Sequence, residues 1–83
     1  MAEQKLLKLT ISRVDAPIFD GAVISVTVPG SEGEMTLLAD HVPLISALKT
    51  GMITIRQADG SVIAHDLTGG TLEIHENHAT ILI

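Results

Sequence analysis

The chain has 83 residues, enough for one domain spanning 1–83 with a small core, and its 46% apolar content excludes a disordered tail. Its net charge of −5 argues against phosphate backbones and anionic lipid as partners. A single Phe, with no Trp or Tyr, argues against a base-stacking platform.

The first element is a strand in which Leu7, Leu9 and Ile11 alternate with Lys8, Thr10 and Ser12, a period of two that gives one core face and one wet face. Pro17 and Gly21 flank a short run with Ile18 and Phe19. Alternation returns at Ile24, Val26 and Val28 against Ser25 and Thr27. Pro29-Gly30-Ser31-Glu32-Gly33 reads as a loop, because proline fixes φ and glycine accepts positive φ. Met35 to Lys49 is ambiguous. Leu44, Ile45 and Leu48 fit a helical stripe, but the regular series of strands around them favours strand, interrupted by a loop at Asp40-His41-Val42-Pro43. Ile53 and Ile55 alternate with Thr54 and Arg56, and Asp59-Gly60 follows as a hairpin turn. Gly69-Gly70 is a further turn before Leu72 and Ile74. Glu76-Asn77 turns the last hairpin, where Asn tolerates left-handed backbone, and Ala79, Ile81 and Ile83 end the chain. Short β-branched runs with frequent turns read as an all-β sandwich or barrel, and a β-sandwich of two packed antiparallel sheets is the fold expected. Leu9, Ile11, Val26, Ile55, Leu72 and Ile81 are expected in the core.

Evidence for chemistry is sparse. No cysteine is present, which removes disulfides and thiolate nucleophiles. His75 and His78 flank a predicted turn and would need Glu73 or Glu76 to complete a metal site, so they read as a polar hairpin end in solvent. Asp40, His41 and a serine lack the Gly-x-Ser-x-Gly elbow of a hydrolase. Gly30 to Glu34 lacks the Gly-Lys-Ser/Thr end of a phosphate loop, and its carboxylates would repel phosphate. That loop reads equally as an exposed acidic turn or a docking loop. The start of the chain has no signal-peptide core, and no apolar run approaches the ~20 residues of a membrane span. A soluble intracellular protein, or one peripheral through a protein partner, is expected.

The order of three segments resembles the N-terminal β-sandwich domain of the epsilon subunit of F-type ATP synthase. They are Gly30-Ser31-Glu32-Gly33-Glu34, His41-Val42-Pro43-Leu44-Ile45-Ser46-Ala47-Leu48-Lys49 and Gly51-Met52-Ile53. Phe19-Asp20-Gly21 and Leu67-Thr68-Gly69-Gly70, followed by Leu72-Glu73-Ile74, extend the resemblance from Leu7 to Ile83. Asp40 stands where the family favours Gly or Asn, and Val42 where Ala is usual. The resemblance implies a non-catalytic rotor component without cofactor or metal, which packs on the gamma subunit, sits on the c ring and couples proton flow to ATP synthesis. It implies that Ser31, Glu32, Gly33 and Glu34 face the c ring, and that Arg13, His41 and Ser46 face gamma. The implied location is the cytoplasmic face of the bacterial inner membrane, with a monomer when isolated. Most family members continue into a regulatory C-terminal helical hairpin, whereas this sequence stops at Ile83, as in the naturally short epsilon subunits of some bacteria. A subunit of that length is expected to support assembly and coupling without the hairpin's blocking action, and to lack any nucleotide site that depends on it. Two other readings are a free-standing β-sandwich adaptor and a small metal-dependent enzyme using His75, His78 and Glu76.

Overall fold

The computed structural model describes residues 5–83; residues 1–4 of the expected domain lie outside it. Among the described residues the chain forms eight strands and no helix. These are β1 (Leu7–Ser12), β2 (Pro17–Gly30), β3 (Gly33–Leu38), β4 (Leu44–Leu48), β5 (Gly51–Gln57), β6 (Val62–Leu67), β7 (Gly70–His75) and β8 (His78–Leu82). The ambiguous stretch is therefore two short strands, β3 and β4, on either side of the Asp40–Pro43 loop.

The strands pair along the path β1-β8-β7-β4-β2-β5-β6, with β3 also on β2, and β1 closes back onto β2. The long β2 makes this a sandwich. Its first half pairs with β1, from Pro17↔Ser12 to Val23↔Leu7. Its second half lies between β3 and β5. One layer is thus β3-β2-β5-β6 and the other β2-β1-β8-β7-β4. All pairs are antiparallel except β1–β8, which runs parallel from Lys8↔His78 to Ser12↔Leu82. The long chain between those two strands supplies the crossover that a parallel pair needs.

Between the layers lies one cluster fed by every strand, from Leu7, Leu9 and Ile11 to Ala79 and Ile81. The expected members Leu9, Ile11, Val26, Ile55, Leu72 and Ile81 are all buried. Ile24 is the exception to the predicted alternation. A bulge between Val23 and Ser25 sets two residues of β2 against one of β5. The extra residue shifts the phase, so Val23 and Val26 are both buried and Ile24 is only half-buried.

The Glu76-Asn77 turn joins the β7–β8 hairpin with both residues at positive φ, 49° and 61°, the left-handed pair that matches strand twist. Asn77 does more than turn the chain. Its Oδ1 accepts from the Asp40 N–H at 2.8 Å, its Nδ2 donates to Leu6 O at 2.9 Å, and its backbone O accepts from Lys8 N–H at 3.1 Å. One side chain therefore ties the β7–β8 turn to the β3–β4 loop and to the entry of β1. Asp40 itself has φ 62°, a conformation easiest for Gly and next easiest for Asn or Asp. This explains why a Gly, Asn or Asp residue suits that position.

Candidate subunit interface

The acidic loop is built by two glycines with different tasks. Gly30 pairs with Gly33 at the end of the β2–β3 hairpin, with Ser31 and Glu32 as the turn. A Cβ on Gly30 would stand 2.7 Å from Gly33 O and 2.8 Å from Met35 Cε, so there is no room for a side chain. Gly33 has open space around it but takes φ 135°, which a side chain would strain. Two backbone bonds then clip the loop to β4: Ser31 N–H donates to Ala47 O at 3.0 Å, and Lys49 N–H donates to Pro29 O at 2.9 Å. The loop is held in one shape rather than hanging from the sheet.

That shape presents the Glu32 and Glu34 side chains to solvent. Among the described residues, the ion pair is Lys5 with Asp40 at 2.6 Å, and neither Glu32 nor Glu34 has a cation within the chain. The loop borders a groove of about 400 Å³ whose other wall is β4 from Leu44 to Ala47. Met35 and Leu44 pack on the core at its floor, while Ile45 stands at its lip with 71% of its surface exposed. The groove thus sets two carboxylates without a cationic partner among the described residues beside an apolar wall.

The candidate partner-facing residues separate in space. Ser46 lines the groove shared with Ser31, Glu32, Gly33 and Glu34; it is half-buried and its Oγ donates to Ala47 O at 3.0 Å. His41 lies in the loop before β4, beside Asn77 and His75, with Nδ1 donating to Val42 O at 2.8 Å. Arg13 lies past the other end of β1, in a turn closed by Arg13 N–H to Ala16 O at 2.8 Å, next to Asp66 and Ile83. Asn77 bonds Lys8 near the start of β1, and Ile83 bonds Ser12 at its end. His41 and Arg13 are therefore separated by about the length of β1, roughly 20 Å at 3.3–3.4 Å per residue. The three do not form one compact patch.

His75 and His78 are directly cross-strand, but the His78 Nε2 is 2.9 Å from Thr10 Oγ1, and Glu76 sits in the turn. Among the described residues no three His, Asp or Glu side chains converge to hold an ion. The sequence reading missed Ile45 as an exposed apolar residue. On β4 the two alternating rows are Leu44, Ser46, Leu48 and Ile45, Ala47, and apolar residues in both leave the exposed row unmarked.

Residues 6–83 match the family model described as the ATP synthase delta/epsilon chain β-sandwich domain. The chain belongs to this family. The ATP synthase epsilon chain of Sulfurovum sp. (strain NBC37-1) is 42% identical over 79 residues, covering 95% of this chain and 62% of that relative. The ATP synthase epsilon chain of Sulfurimonas denitrificans is 39% identical over 77 residues, covering 93% of this chain and 59% of that relative. The chain thus spans about three fifths of the length of these relatives. Among solved structures, a chain of the Euglena gracilis mitochondrial ATP synthase, imaged as an OSCP/F1/c-ring assembly, superposes with a TM-score of 0.88. Its identity is 25%, and the match covers 93% of this chain and 49% of that one. A chain of the Tetrahymena thermophila mitochondrial ATP synthase central stalk and c-ring gives a TM-score of 0.76 at 18% identity, covering 98% and 65%. This second likeness is one of fold.

Proposed function

We propose that this chain is a non-catalytic rotor component of a proton-translocating F-type ATP synthase, linking the gamma subunit to the c ring. The observation that carries the proposal is the family match across residues 6–83, in a domain whose acidic loop is braced against β4 by the Ser31 and Lys49 bonds. A rotating joint transmits torque only through contacts that do not yield, and this loop is clipped to β4 through Pro29 and Ser31. Ser31, Glu32, Gly33 and Glu34 meet polar or cationic loops of the c ring, while Ser46, His41 and Arg13 meet gamma over a broad surface. Among the described residues no helix is long and apolar enough to cross a membrane. In this reading the chain reaches the cytoplasmic face of the bacterial membrane through its protein partners, and it needs no cofactor.

The test is charge reversal at the loop. The chain carrying Glu32→Lys and Glu34→Lys is assembled with the other synthase subunits in membranes, and ATP-driven proton pumping is compared with hydrolysis. Both residues are exposed, so the fold by circular dichroism should be unchanged, each substitution costing within about 0.5 kcal/mol. Pumping should fall well below that of the unaltered complex as docking on the ring weakens. Pumping at the unaltered level with the double variant fully incorporated contradicts the assignment, as does failure of the unaltered chain to co-purify with gamma.

A further inference from the structure

We infer that the outer edge of β4 is a strand-addition site, which takes an extended segment of a partner protein carrying an apolar side chain flanked by Lys or Arg. The inference rests on the rotor reading for its choice of partner, and on backbone geometry for the mode of contact. β4 pairs fully with β7, from Leu44↔Ile74 to Leu48↔Gly70. On its other side it meets β2 at one position only, Gly30↔Leu48. The bonds from Ser31 N–H to Ala47 O and from Lys49 N–H to Pro29 O show which way the backbone points there. Residues 47 and 49 aim away from β7, and because strand groups alternate in direction, so does Ile45. The Ile45 N–H and C=O and the Ala47 N–H therefore face the groove, where no strand of the described chain pairs with them.

An edge of this kind is ordinarily blunted by charge, proline or a bulge. Leu44–Leu48, sequence LISAL, carries none of these. β2 would continue alongside β4, but it turns away at Ser31 and leaves that lane open. A strand running antiparallel to β4 would fill the lane and complete the backbone bonds. Its inward side chain would rest on Met35 and Leu44 at the floor. The lip fixes the charge of the occupant. Glu32 and Glu34 border the groove and have no cationic partner among the described residues. In strand addition, main-chain bonds supply affinity and such side-chain sites supply specificity.

Proline at position 45 separates backbone from side-chain recognition. Ile45→Pro removes the outward N–H but no bond to β7, a placement that edge strands tolerate. Ile45→Ser removes the apolar side chain and keeps the N–H. Binding is measured against the purified gamma subunit and, separately, against the detergent-solubilised c ring, with amide hydrogen exchange on the unaltered chain in each mixture. The expected result with one of these probes is at least tenfold slower exchange at Ile45 and Ala47, with Ile45→Pro binding at least tenfold more weakly than Ile45→Ser. Tight binding without protection of either amide overturns strand addition and leaves the rotor reading standing. Equal affinities for the two variants do the same. Absence of binding to both probes by the unaltered chain overturns both. The exchange measurement needs no substitution, so a misfolded proline variant does not blunt the test.

Discussion

Replacing Asn77 by alanine removes two hydrogen bonds and a conformational allowance together. The bonds are those from Asp40 N–H to Oδ1 and from Nδ2 to Leu6 O, at 2.8 and 2.9 Å. Each contributes about 1 kcal/mol net. The allowance is for φ 61°, where an ordinary L-residue is disfavoured by about 1–2 kcal/mol and asparagine by less. The expected loss for Asn77→Ala is thus about 3 kcal/mol. For a domain of this size, that lowers the melting temperature by about 12–24 °C. Asn77→Gly isolates the backbone contribution, because glycine adopts the same φ without strain while losing both bonds. It should cost about 2 kcal/mol, less than alanine. Urea unfolding followed by circular dichroism gives both values from shifts in midpoint at constant slope. A loss below about 1 kcal/mol for Asn77→Ala refutes the clamp. Equal losses for alanine and glycine refute the backbone part of the argument.

Three further outcomes follow from local geometry. Gly30→Ala forces a Cβ to within 2.7 Å of Gly33 O and should destabilise the domain by about 1–3 kcal/mol, read by urea midpoint. Asp40→Val places a β-branched residue at φ 62° and should cost about 1–2 kcal/mol or more, whereas Asp40→Asn should stay within about 0.5 kcal/mol, also by urea unfolding. Asp59 accepts from the Ser61 hydroxyl at 2.6 Å and its N–H at 2.8 Å, bonds that hold its carboxyl below the ordinary value. A carboxyl depressed in the folded state stabilises above its unfolded pKa, and that contribution disappears as pH falls through the folded value. Ser61→Ala should therefore move the Asp59 midpoint up toward the ordinary value in an NMR titration, and an unmoved midpoint contradicts the assignment.

Where local chemistry decided the structure, the sequence was readable. Leu7, Leu9 and Ile11 alternate along the part of β1 whose register with β2 is unbroken, and they are buried as predicted. Glu76-Asn77 and Asp59-Gly60 form turns because their residue types suit the backbone required. Ile24 was misplaced because a bulge adds one residue, and alternation carries no mark of where the count changes. The parallel β1–β8 pair was not foreseen for a similar reason: an inward-outward pattern says which face a residue takes, not which strand lies beside it. The candidate interface was partly legible. Gly30 and Gly33 announced a shaped loop, and Glu32 and Glu34 announced its charge. That Ser46 shares the groove with this loop, while Arg13 and His41 lie at opposite ends of β1, depends on pairings between residues far apart in sequence. The clamp at Asn77 is of the same kind, since its partners lie 37 and 71 residues away.

The chain contains no cysteine, so one introduced thiol reports one position. Glu32 is exposed at the tip of the braced loop, and Glu32→Cys leaves Gly30 and Gly33 untouched. The variant is assembled into the membrane-bound synthase and treated with a short thiol-to-amine or photoreactive cross-linker, and the adduct is identified by mass spectrometry. A covalent product between this chain and the c subunit is the expected outcome. An incorporated variant that yields products only with other subunits, or none, would contradict the docking of this loop on the ring.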